Sequence, residues 1–413
     1  MARTVVRVPS ALPDGEAAPD DGALPDSALK SARSHDFGIY VHIPFCASRC
    51  GYCDFNTYTA AELGSGVSRE SFPRLLEAEI DLAARVLGDV PRPISTIFFG
   101  GGTPSLLPAS ELTGIVAKLE STFGLTPDAE ITTEANPESV DPEYFRQLRA
   151  GGFTRVSLGM QSTARRVLAV LERGHTPGRA LDAAREAREA GFEHVNLDLI
   201  YGTPGETAED FEASLRAAVD TGADHVSAYS LIVEDGTRLA GQVRRGDIPA
   251  PSDDEAADRY LAAERVLGEA GFEWYEVSNW ARSEAARCRH NLLYWRGGDW
   301  WGLGPGAHSH VGGVRWWNVK HPARYGQRLT DGLSPAQGRE LLTPPQRHME
   351  DVLLGVRLAD GLALCALDAD GQRNARKAAA EGLLDPAALA ADRVRLTLRG
   401  RLLADAVVRD LVP

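Results

Sequence analysis

The chain has 413 residues, of which 43% are hydrophobic and 25% charged, with a formal net charge of −14 and five cysteines. The acid excess argues against a nucleic-acid surface, which needs a basic face, and so few cysteines exclude a secreted disulfide scaffold. No apolar run approaches the roughly 18 residues of a membrane span and the N-terminus lacks an apolar signal core, so a cytoplasmic protein is expected.

Residues 1–36 are rich in Ala, Pro, Asp, Gly and Ser and are expected to form a disordered tail, because they carry too little apolar surface to offset the entropy of ordering. From Phe37 a regular alternation begins. Strand-like runs fall at Ile39–Ile43, Thr96–Phe99, Ile131–Glu134, Arg155–Leu158, Val195–Ile200 and His225–Ser230. Helical stretches lie between them at Phe72–Leu87, Ala109–Phe123, Pro142–Ala150, Ala180–Ala190 and Ala208–Asp220. Such alternation predicts an α/β fold with a parallel sheet and right-handed crossovers. Six units make an incomplete (βα)6 barrel, open on one side, and the barrel is assigned to residues 37–279.

Beyond it, Ser252–Ala270 reads as a helix and Trp274–Val277 as a strand. Residues 280–335 read as a connecting segment rich in Trp, His and Gly, in which Gly302 to His308 should form a loop. Residues 336–413 read as a small helical domain ending in a strand at Arg393–Leu398 and a helix at Gly400–Leu411. It holds eleven basic and eleven acidic residues, too even a balance for DNA binding. Cys365 is expected to be a buried small hydrophobe, and His175, His194, His225 and His348 to be structural.

Chemistry concentrates in Cys46-Ala47-Ser48-Arg49-Cys50-Gly51-Tyr52-Cys53. Three thiols with no fourth nearby would hold a cubane iron–sulfur cluster with one iron left open. Zinc completed by His42 or Asp54, or a Cys50/Cys53 redox pair, are the other readings. Further polar or glycine-rich elements follow the later strands. They are Gly100 to Pro104, Glu134, Gly159-Met160-Gln161-Ser162, and Asp198 ahead of Gly202 to Gly205. Ligand-binding residues of α/β sheets collect at such strand ends.

The cysteine spacing and its context from Gly38 to Cys46 closely resemble the radical S-adenosylmethionine (SAM) superfamily. Over about residues 37–413 the chain resembles the branch containing oxygen-independent coproporphyrinogen III dehydrogenase and the HemW-type heme chaperones. That resemblance implies a radical SAM barrel with a winged-helix-like C-terminal appendage. It implies a [4Fe–4S] cluster on Cys46, Cys50 and Cys53, with SAM on the open iron. Tyr40 would then lie beside SAM, Tyr52 would flank its adenine, and Gly101, Gly102 and Thr103 would contact its methionine part. Glu134, Gln161, Arg173 and Asp198 would meet its polar groups and ribose. Without a ligand, Glu134 and Arg173 read as a structural ion pair and Asp198 as a loop cap.

Two features separate the members of that branch. The dehydrogenases resembled here carry a cysteine two residues after the third cluster cysteine, where this chain has Phe55. Its absence leaves cluster binding untouched and argues against the decarboxylation chemistry. The stretch His290-Asn291-Leu292-Leu293-Tyr294-Trp295 matches the HNxxYW motif of the chaperones, inside a segment from Trp274 to Trp317 that holds all seven tryptophans. Heme needs a flat apolar wall, an iron ligand and cations for its propionates. Tyr294, Trp295, Trp300 and Trp301 suit the wall, His290 or Cys288 the ligand, and Arg287 or Arg289 a propionate. The same aromatics would equally pack a domain seam, with His290 satisfied by hydrogen bonds. The resemblance implies heme delivery to apo-hemoproteins, and the family allows a homodimer.

Overall fold

The computed structural model describes residues 15–31, 36–63, 67–88, 92–174 and 176–412. His175 and half of the expected tail, residues 1–14 and 32–35, lie outside the described residues.

The strands are β1 (Glu16–Ala17), β2 (Phe37–Ile43), β3 (Ile94–Gly101), β4 (Leu125–Ala135), β5 (Arg155–Gln161), β6 (His194–Tyr201) and β7 (His225–Ser230). They continue as β8 (Glu273–Glu276), β9 (Asn279–Ala281), β10 (Asp299–Leu303), β11 (His308–Val311), β12 (Val314–Asn318), β13 (Ala336–Leu341), β14 (Leu362–Ala363) and β15 (Arg393–Val394). Strands β2 to β7 pair in parallel and in chain order, so the expected six-unit incomplete barrel is present. Residues alternate along these strands, apolar ones such as Val195, Leu197 and Leu199 packing under the helices and polar ones such as Asn196, Asp198 and Ser227 facing the barrel interior. Helices Phe72–Leu87, Ala109–Phe123, Pro142–Ala150, Arg179–Glu189 and Ala208–Asp220 cover the outer face.

The segment expected to be a connector is an extension of the sheet. Strand β10 pairs in parallel with β2, placing Gly302 beside Tyr40, and β11, β12 and β13 follow antiparallel. The predicted loop is confined to Gly304–Ala307, because Gly302 and Leu303 belong to β10 and His308 opens β11. Strand β13 belongs to this sheet, and a separate small core follows it. That core includes Val352, Val356, Leu384, Val394 and Leu411. There the expected strand shortens to β15, and the final helix splits into Leu398–Leu402 and Ala404–Leu411. Cys365 is exposed in a short turn, not buried.

The tail expectation is also corrected over residues 15–31. Strand β1 pairs with β13, Arg339 binds Glu16 at 2.6 Å, Arg328 binds Asp20 at 2.8 Å, and Ala28 is buried. Backbone pairing and ion pairs hold this segment where its apolar content could not. Among the described residues no helix is long and apolar enough to cross a membrane.

Two buried carboxylates lock the extension to the barrel. Glu79, on the Phe72–Leu87 helix, accepts from Gly304 N–H at 2.8 Å, Asn318 Nδ2 at 2.7 Å and the Tyr325 hydroxyl at 2.5 Å. Glu130 on β4 pairs with Arg155 on β5 at 3.0 Å, the two side chains 5% and 2% exposed. Glu130 Oε1 accepts the His290 backbone N–H at 3.1 Å, and Arg155 Nη2 donates to the carbonyls of Ala286 at 2.9 Å and Arg287 at 3.1 Å. The pair therefore pins residues 286–290 across the start of the parallel strands.

Removing one partner of such a pair leaves a buried, uncompensated charge. Arg155→Met or Glu130→Gln should each destabilise the fold by about 3–5 kcal/mol, and Glu130→Leu with Arg155→Met together should recover part of that loss. Urea denaturation checks this. Single-variant losses near zero would show that the pair does not anchor the segment.

Candidate functional site

The cysteine loop leaves β2 and is tied down along its length. Cys46 N–H donates to Tyr58 O at 3.0 Å, Gly51 N–H to Leu171 O at 3.3 Å, and Leu239 N–H to Gly51 O at 2.8 Å. Asn56, which no sequence signal marked, donates from Nδ2 to the carbonyls of Pro305 and Lys320 at 2.9 Å each. Its own carbonyl accepts from His42 Nε2 at 2.9 Å. Burial lowers His42 to a pKa of about 4, so the ring is neutral, and Nδ1 accepts from the Tyr40 hydroxyl at 3.1 Å. Both ring nitrogens are engaged, which removes His42 as the fourth zinc ligand.

The thiols of Cys46, Cys50 and Cys53 are unpaired, and burial pushes Cys53 up to about 11 and raises Cys46 as well. Arg173 Nη1 donates to Cys50 Sγ at 3.3 Å, and Thr103 Oγ1 stands 3.9 Å from Cys46 Sγ. Arg173 also donates from Nε to Gln161 Oε1 at 3.2 Å and from Nη2 to Gly159 O at 3.4 Å. Glu134 instead accepts the Gly101 N–H at 3.1 Å, so the Glu134–Arg173 ion pair is not what the fold builds. Gln161 adopts a φ of 61° where the β5–β6 register shifts, a backbone strain held by the surrounding strands.

Glycine is required beside the thiols. A Cβ on Gly102 would meet Phe45 O at 2.5 Å, and Gly101, at a φ of 108°, would place one 2.5 Å from the His42 ring. Close approach of the backbone is thus possible only without side chains. Tyr52 packs on the apolar cluster of Val167, Leu171, Leu231 and Leu239.

Inside the barrel lies a cavity of about 200 Å³ lined by Tyr40, Glu134, Asp198, His290, Asn291 and Tyr294, among others. Two residue sets that the sequence kept apart therefore share one wall. Burial, reinforced by the charge of Asp198, raises Glu134 to about 8. Asp198 is raised by burial although it accepts from Ser157 Oγ and Asn196 Nδ2, each at 2.7 Å. Two buried carboxylates facing one cavity suit a cationic ligand. SAM, whose sulfonium and ammonium are positive, is of that charge, and three cysteines outside any disulfide are the donor type of a cluster, although among the described residues no three such ligands are gathered closely enough to hold a metal ion.

The HNxxYW residues form the floor of this cavity, and of the two roles the sequence left open for His290 the structure shows the hydrogen-bonded one. Its Nδ1 is 2.8 Å from Thr96 Oγ1 and its Nε2 2.8 Å from the Tyr294 hydroxyl, while Phe98 stacks on the ring at 5.2 Å. Burial drives its pKa to about 3. Asn291 donates to Glu276 at 3.4 Å, and a hydrogen bond from Trp295 reaches the same carboxylate. Cys288 is buried with its thiol raised and its Sγ 3.6 Å from Glu130 Oε1. Arg289 is engaged by Asp128 at 3.0 Å, and Arg287 lies over the Tyr275 ring. Trp301 turns to the outer layer against Trp316, whereas Trp300 packs on Tyr294 at 4.6 Å. The motif is a self-satisfied plug.

Comparison with known proteins agrees with this geometry. The model of the radical SAM superfamily matches residues 40–218. The chain is 56% identical over 376 residues to the heme chaperone HemW of Mycobacterium tuberculosis strain H37Rv, covering 91% of this chain and 95% of that protein. It is 35% identical over 345 residues to the heme chaperone HemW of Synechocystis, covering 82% of each. The solved structure of coproporphyrinogen III oxidase (HemN) from Escherichia coli shares the fold, with a TM-score of 0.79 at 24% identity over 95% of this chain and 94% of that one.

Cys46→Ala, Cys50→Ala and Cys53→Ala should each abolish iron–sulfur absorbance after anaerobic reconstitution, while Cys365→Ala should retain it. A triplet variant with full iron and sulfide content would contradict the site. A second expectation concerns pH in the ligand-free protein. Because Glu134 holds its proton more tightly folded than unfolded, its contribution is complete below about pH 4.5 and is lost as pH rises to about 8. Glu134→Gln should therefore gain stability relative to the native chain across that window in thermal melts. A constant difference would contradict the raised pKa.

Proposed function

This chain belongs to the HemW family within the radical SAM superfamily, and from that premise we propose that it is a chaperone that binds heme and delivers it to apo-hemoproteins. The observation that carries the reading is the similarity to heme chaperones named HemW over nearly the full length of both chains. In this reading Cys46, Cys50 and Cys53 hold the [4Fe–4S] cluster in a reducing compartment, the cytoplasm. When bound, the cluster and SAM supply one-electron chemistry.

The chain's own residues prepare that site. Arg173 places a positive charge against Cys50, donating to its sulfur at 3.3 Å. Gly101, Gly102 and Thr103 offer backbone without steric cost, and Tyr40, Gln161 and Tyr52 bound the space around them. Glu134 and Asp198 are held where a cationic ligand would draw both into the ionised form. The plug formed by His290, Asn291, Tyr294 and Trp295 closes the barrel from beneath and keeps water from the reactive end.

The dehydrogenase reading is not favoured. Phe55, 65% exposed beside the cysteine loop, stands where that chemistry would need a cysteine.

The test uses the cluster-loaded full chain in parallel assays. Hemin should be retained through gel filtration and passed to an apo-hemoprotein, while coproporphyrinogen III with SAM and reductant should yield no protoporphyrinogen IX. Decarboxylation with no heme retention would reverse the assignment.

A further inference from the structure

We propose that His308, at the start of β11, is the heme-iron ligand, on an aromatic shelf that continues the cavity wall outward beyond the barrel. The inference rests on the heme-binding reading above and gives it a site. The plug histidine has both nitrogens committed, as do His42 and His225. His194 bonds Asp224, His310 bonds the Gly298 carbonyl, and His321 caps the helix that follows it. The His308 ring is exposed, and no hydrogen bond to it is found among the described residues.

Strand register supplies the shelf. Phe98, Tyr40 and Gly302 lie opposite one another on β3, β2 and β10, and His308 lies opposite Trp317 on β12. Gly302 packs against the His308 carbonyl, where a Cβ would meet the oxygen at 2.2 Å. Between Tyr40 and His308 the sheet therefore carries no side chain at Gly302, which the His308 carbonyl itself covers. The His308 ring lies tilted by 32° beside Trp317, with centroids 6.0 Å apart. The Trp300 indole donates to the His308 carbonyl at 2.9 Å and fills the gap to Tyr294.

Charge fits the same ligand. Partial desolvation, followed by the positive charges of Lys320 and Arg315, holds His308 below the ordinary imidazole range. The ring is thus neutral, with a lone pair for iron. Asn56 clasps Pro305 and Lys320, so the shelf is fixed to the loop that bears the cysteines. A heme ligated here would stand at the cluster end of the barrel, with Tyr294 of the HNxxYW motif reaching it through Trp300.

The experiment titrates the cluster-loaded chain with hemin and, separately, with metal-free protoporphyrin IX. His308→Ala should weaken hemin binding at least tenfold and shift the Soret band, while protoporphyrin IX binds within twofold of the native chain. His308→Gln should behave alike, and His348→Ala should match the native chain. Unchanged iron content and far-UV circular dichroism report that each variant is folded. A native chain that binds no hemin would defeat the heme-binding reading itself. Native-like hemin affinity and spectrum in a folded His308→Ala chain would overturn only the ligand assignment. Loss of both porphyrins from a folded variant would also overturn it, since His308 would then shape the shelf and not bind iron.

Discussion

The buried pair Glu130–Arg155 is the constraint on which the arrangement of this chain depends. An incomplete barrel leaves the lower ends of its strands unclosed, and something must fill them without exposing polar backbone. The pair solves this by reaching beyond its own strands. Arg155 takes the carbonyls of Ala286 and Arg287, and Glu130 takes the amide of His290. Desolvating two charges is costly, so the gain is less in net stability than in a single defined position for the plug. The His290 ring, the Tyr294 hydroxyl and the Asn291 amide nitrogen then find partners indoors, through Thr96, each other and Glu276.

With its floor sealed, the molecule can work only at the other end of the strands. There the cysteine loop, the Gly101–Thr103 backbone, Arg173 and the two raised carboxylates converge from separate crossovers. Glu79 and Asn56 join this end to the antiparallel extension, the first from the helical layer and the second from the cysteine loop itself. The extension is thus part of the functional end of the sheet, and the HNxxYW residues contribute aromatic wall and closure more than a metal ligand.

The parallel barrel was legible in the sequence because short strand-like runs alternate regularly with amphipathic helices, and the cysteine spacing speaks for itself. The Trp- and His-rich extension was not. Its strands are short and, beyond the parallel β10, antiparallel, and Gly302 and Gly304 disguise β10 and its turn as a loop. Residues 15–31 were misread for a related reason, since composition reports apolar burial but not the ion pairs Arg339–Glu16 and Arg328–Asp20. His290 carried a strong motif, yet a motif cannot reveal that Thr96, far away in sequence, occupies its Nδ1. Asn56 and Glu130 gave no local signal, as their partners lie on other strands and loops. His308 sat inside a stretch marked only by its glycines.

Amide hydrogen exchange of the cluster-loaded chain, with and without hemin, tests most directly the division between a sealed floor and a working mouth. Hemin should slow exchange in peptides spanning residues 302–310 and leave residues 286–295 unchanged. Protection confined to residues 286–295, with residues 302–310 unaffected, would contradict that division.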